Sequence, residues 1–158
     1  MMKKRWLIAL IPALLGGQIA WASDAVSQDA ASAFLTAYYA AIKSHNLAQL
    51  DAMIASNATV VVLLAEESPP LQFTLTKADY LQQLKATWHF TTQESYEFKT
   101  VAFQSDKDSG GVRVLLSEVE RRMVLGTETG QRNQLDILLV PSAQGLKITA
   151  INNRTVLW

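Results

Sequence analysis

Residues 34–64 read FLTAYYAAIKSHNLAQLDAMIASNATVVVLL, and the fold turns on how this stretch is parsed. Ala30, Phe34, Ala37, Tyr38, Ala41 and Ile42 recur at the three-and-four spacing of a helix with one buried face. Ser27 is placed to cap that helix, which the pattern carries to about Ser44. Asn46 followed by Gln49 has the form of a second helix start, with Leu47, Leu50, Met53 and Ile54 inward. Ser56 and Asn57 then read as a turn. Thr59 to Leu64 (TVVVLL) is a strand with little polar alternation, as expected of one covered on both faces.

Downstream, Pro69 and Pro70 interrupt the chain and LQFTL at 71–75 reads as a second strand. Thr76 with Asp79 three residues later marks a third helix reaching about Trp88. From Glu94 the period changes to two. Tyr96 and Phe98 share one face, Val101 and Phe103 the other, with a slip between the pairs. DKDSGG at 106–111 is a turn. Although its acidic spacing resembles a calcium loop, the twelfth position is Ser117 and not a bidentate Glu. Long strands over 112–125, 131–140 and 146–158 follow, separated by turn residues at 126–130 and 141–145. The order helix, helix, strand, strand, helix and four strands defines one α+β domain.

Upstream, MMKKR is a basic head, 6–15 is a short apolar run, and Ala20-Trp21-Ala22 has the small-x-small form of a cleavage site. Residues 1–22 therefore read as a signal peptide cleaved after Ala22, leaving a single domain over 23–158 and a periplasmic or secreted product. The alternative, an uncleaved anchor, is opposed by Pro12 and by a run shorter than the roughly 20 residues a bilayer requires. The chain has 14 basic and 14 acidic residues, and loss of Lys3, Lys4 and Arg5 leaves 11 against 14, a formal charge of −3. That balance gives no basic field for nucleic acid and no membrane attraction after cleavage. With no cysteine in the sequence, disulfides, thiolate catalysis and Cys-ligated metal are excluded. His45 and His89 each fall near a helix end without carboxylate partners at ligand spacing. Neither a metal nor a cofactor is expected.

The segment AFLTAYYAAIKSHNLAQLDAMIASNATVVV resembles the start of the nuclear transport factor 2-like superfamily, which includes ketosteroid isomerases and SnoaL-like cyclases. The resemblance covers about thirty residues by motif and nearly all of 23–158 by element order. It implies three N-terminal helices packed in a strongly curved, mostly antiparallel sheet of about six strands, a cone with a cavity. It also implies a homodimer through the sheet. The isomerases place a Tyr on the first helix, an Asp base in the first long strand and an Asp acid in the penultimate strand. These positions fall on Tyr38, Val62 and Asp136. Valine cannot move a proton, so isomerisation of that type is disfavoured.

The ligand pocket expected from these positions is Tyr38, Val62, Asp136 and, at the cavity mouth, Trp88. Tyr38 reads either as a cavity donor or as a core aromatic bonded to backbone. Asp136, among Leu135, Ile137, Leu138 and Leu139, reads either as a carboxyl kept neutral by burial or as the partner of an Arg such as Arg122. Glu118, Glu120 and Arg122 alternate onto one face, taken as solvated or dimer-facing over a cluster inside the cone. Two functions follow. The favoured one is a non-catalytic module that binds a small apolar ligand or a protein partner; the other is a small hydrolase, cyclase or dehydratase using Asp136 with Tyr38.

Overall fold

Ser27 opens helix α1 (Gln28–Lys43) by accepting a hydrogen bond from the Ala30 N–H at 3.1 Å, in a computed structural model that describes residues 26–158. The signal-peptide reading of 1–22 lies outside the described residues. Asp29 in the first turn and Lys43 in the last complement the helix dipole. The buried face is Ala31, Leu35, Tyr38, Tyr39, Ala41 and Ile42, so the stripe is rotated from the expected one, leaving Ala30 exposed and Phe34 and Ala37 half-buried. The cause is Tyr39, whose ring stacks on Phe98 at 3.9 Å between centroids and turns the helix toward the sheet.

Helix α2 (Leu47–Met53) begins at Asn46, whose side chain accepts from the Gln49 N–H at 3.0 Å, and it buries Leu50. Strand β1 (Ile54–Leu64) follows directly, without the expected turn at Ser56 and Asn57. Its pairing slips between Ile54 and Thr59, so those residues form an irregularity within the strand while Ile54 and Ala58 stay buried. After β2 (Leu71–Thr76), helix α3 (Lys77–Phe90) starts with the expected Thr76–Asp79 capping box. Leu81, Leu84, Tyr80 and Trp88 of α3 lean against the core.

The remaining strands are β3 (Thr91–Asp106), β4 (Gly111–Val124), β5 (Thr127–Ser142) and β6 (Gly145–Leu157). The slip expected between Phe98 and Val101 appears as a register shift between Thr100 and Ala102. The six strands form one open sheet in the order β2-β1-β6-β5-β4-β3. Only β1 and β6 run parallel; every other neighbour pair is antiparallel. The sheet's inner face supplies Val112, Val114, Leu116, Ile137, Leu139, Ile148 and Ile151, which pack on α1 and α2 as a single core. Burial of each such side chain is worth about 1.5–3 kcal/mol. Among the described residues, no helix is long and apolar enough to cross a membrane.

Candidate functional site: a tyrosine and carboxylate cavity inside the cone

Strand β4 continues its inward parity beyond the core. Val112, Val114 and Leu116 are followed on the same face by Glu118 and Glu120, which are 7% and 4% exposed. Beyond the apolar core, these two carboxyls and the helices leave a cavity of about 220 Å³. Its wall includes Tyr38 and Tyr39 from α1, Tyr80 from α3, Tyr96 from β3, and Val62 and Leu64 from β1. The interior is therefore mixed, with polar and apolar side chains together. The reading of Glu118 and Glu120 is corrected: they line this cavity where a solvated or dimer-facing surface was the favoured reading.

Buried carboxyls require partners, and neighbouring strands provide them. Asn133 on β5 donates to Glu118 at 2.6 Å, and Thr155 on β6 donates to the Asn133 carbonyl oxygen at 2.8 Å. Glu120 is held by Gln131 and by Arg122, whose Nη1 lies 2.9 Å away. Burial raises the Glu120 carboxyl above its ordinary pKa, against the opposing pull of Arg122. Tyr38 and Tyr80 share a hydroxyl–hydroxyl hydrogen bond of 2.6 Å. Burial, reinforced by Tyr80, raises Tyr38 well above the usual tyrosine value, and burial pushes Tyr80 up to about 12. Tyr39 and Tyr96 are raised for the same first cause. All four hydroxyls are thus protonated donors at neutral pH.

The set leaves bonding capacity unused. Among the described residues, the Tyr39 hydroxyl is buried with no hydrogen-bond partner. After burial, the charge of Glu118 and a contact from its carboxyl raise the Tyr39 pKa, so the hydroxyl faces Glu118, but the pair stands outside full hydrogen-bond geometry. Glu118 accepts one side-chain hydrogen bond among the described residues, the one from Asn133. A carboxylate can accept about four. The site can therefore bind a donor at Glu118 and an acceptor at Tyr39 within one small volume.

No family model and no curated protein matches the chain. Solved structures do. A conserved protein from Planctomyces limnophilus superposes with a TM-score of 0.67 at 9% identity, covering 82% of this chain and 95% of that one. A candidate dehydratase of the nuclear transport factor 2-like family from Streptomyces avermitilis gives 0.62 at 16% identity, covering 82% and 96%. A nuclear transport factor 2-like protein of unknown function from Silicibacter pomeroyi gives 0.57 at 11%, covering 80% and 93%. The chain has the nuclear transport factor 2-like fold. At these identities the likeness concerns fold alone, and function has to be argued from the site.

Within this nuclear transport factor 2-like cone, Tyr38 and Val62 line the same cavity. Asp136 does not join them. It pairs across the sheet with Leu115 and Asn152 and lines a groove of about 490 Å³ with Val61, Leu63 and Val101. Strand alternation is the reason: Ile137 and Leu139 face the core, so Asp136 faces away. Arg113, rather than Arg122, is its partner, donating at 3.1 Å. The pairing of Asp136 with Tyr38 in one site is therefore corrected. Trp88 stacks on His45 at 4.5 Å and lies outside the cavity wall, where its α3 neighbours Gln83, Leu84 and Thr87 stand. The parity of β4 was the signal that could have found Glu118 and Glu120.

Proposed function

We propose that this chain is an exported, non-catalytic binding protein whose cone holds one small molecule bearing a hydrogen-bond-donating group. The observation that carries the reading is the juxtaposition of Glu118, with acceptor capacity to spare, and the unpartnered Tyr39 hydroxyl in one cavity. Val62 and Leu64 add apolar wall where catalytic relatives would keep a base. Native mass spectrometry of protein exported to a bacterial periplasm tests this. A retained small molecule, lost in Glu118→Gln, is expected. Protein that is always empty, and that no donor-bearing small molecule stabilises, would overturn it.

A second reading has its own support. Two carboxyls share the cavity, and burial raises the pKa of Glu120, the kind of shift that fits a carboxyl to act as a general acid. Two of the solved structures with this fold are named as candidate dehydratases. Here Glu120→Gln would abolish a measured turnover and leave ligand retention intact. Export is tested separately by N-terminal sequencing, with cleavage after Ala22 expected. The outer groove is proposed as the seat of a second copy of the chain. A dimer by light scattering, made monomeric by Leu63→Glu, is the expected result.

A further inference from the structure

The inner cavity has a neighbour across a thin wall. Thr87 and Arg122 line it and also line a second hollow of about 520 Å³ at the rim of the cone. That hollow is bounded by Ala86, Phe90, Val124, Leu157 and Trp158. Its large side chains are open to solvent: Phe90 is 54% exposed, Leu157 51% and Trp158 52%. Contiguous exposed hydrophobics of this kind mark binding surfaces.

The rim aromatic is also fixed in place. Gly130 and Trp158 exchange two backbone hydrogen bonds, at 3.1 and 3.0 Å. The indole lies so close over Gly130 that a Cβ there would stand 2.4 Å from two ring carbons. Arg132 covers the ring at 5.0 Å. A held aromatic surface binds apolar matter at little entropic cost. We propose that the cavity's ligand is an amphiphile: its donor-bearing head meets Glu118 and Tyr39, and its hydrocarbon part crosses Thr87 and Arg122 into the trough between Phe90, Leu157 and Trp158.

The inference rests on the binding reading above, and one titration series separates the two. Calorimetry with n-alkanols from hexanol to decanol, below their solubility limits, reads head and tail independently, the hydroxyl both donating and accepting. Each buried methylene is expected to tighten binding about fourfold until the trough is filled. Phe90→Ser and Trp158→Ala, both at exposed positions, are expected to flatten that dependence. Glu118→Gln is expected to weaken every member by a similar factor, about tenfold. Binding that is sensitive to Glu118 but indifferent to chain length overturns the trough and leaves the head site standing. A chain-length dependence that survives both rim variants places the tail elsewhere and also overturns it. No binding by any alkanol overturns the trough and the head site together.

Discussion

Replacing Asn133 with Ala removes the middle of the chain Thr155–Asn133–Glu118, and the expected cost can be worked from its geometry. Asn133 is 3% exposed and donates to a carboxyl oxygen at 2.6 Å, while its own carbonyl accepts from Thr155 at 2.8 Å. A hydrogen bond to a charged group contributes about 1.5–3 kcal/mol and a neutral one about 1 kcal/mol. Against this, the adjoining cavity of about 220 Å³ admits water to the stranded groups, which returns part of the loss. The net destabilisation of Asn133→Ala is therefore about 2–3 kcal/mol, or roughly 5–10 °C in Tm for a domain of this size. Urea unfolding followed by tryptophan fluorescence measures it. In a Glu118→Gln background the same change should cost about 1 kcal/mol less, because the charge-assisted share is gone. If Asn133→Ala unfolds within about 0.5 kcal/mol of the parent at an unchanged m-value, water already does the work assigned to the amide and the reasoning fails.

Glu120 and Glu94 should act in opposite senses with pH. The Glu120 carboxyl is raised, so its contribution to stability is full below the ordinary glutamate value of about 4.3 and is lost as pH rises through the raised value. In urea midpoints Glu120→Gln should gain on the parent between the ordinary and the raised value and hold that gain above it; a difference flat with pH throughout would count against it. Glu94 is lowered: burial opposes this, but the hydrogen bond from Thr91 and the bond and charge of His45 outweigh it. Its contribution is present above the ordinary value and lost as pH falls through the lowered one, so Glu94→Gln should shallow the acid limb of the stability profile. Gly111→Ala would set a Cβ 2.2 Å from the Leu139 carbonyl oxygen, a backbone atom that cannot swing aside. Calorimetry should show a loss of about 1–3 kcal/mol, and a silent variant would mean the β4–β5 pair opens there freely.

Local signals read well because they are local. Ser27, Asn46 and the Thr76–Asp79 box each satisfy their own helix N-terminus, and all three helices begin there. The site was harder. Asp136 has apolar neighbours, yet alternation along β5 turns it away from the cavity, and Leu135 and Ile137 on either side say nothing about which face is inside. Glu118 and Glu120 continue the parity of Val112, Val114 and Leu116, but charge at an inward position ordinarily signals the end of the buried face. What makes them tolerable, Asn133, Gln131 and Thr155, comes from strands β5 and β6, whose register no single strand reveals. The rotation of α1 likewise depends on a ring more than fifty positions away.

The parallel seam between β1 and β6 governs the order in which such a molecule can be made. Strands β3 to β6 are consecutive hairpins and can zip as they emerge, whereas β1 has no partner but β2 until the final strand arrives. The β1–β2 pair must wait for β6 before it joins the rest of the sheet. A nascent chain halted before Ile148 would display Val60 and Val62 on an open edge, an invitation to intermolecular pairing. The hollow at the centre of the cone is thus the last thing the chain acquires, and losing the final strand would cost the protein its interior and not merely its edge.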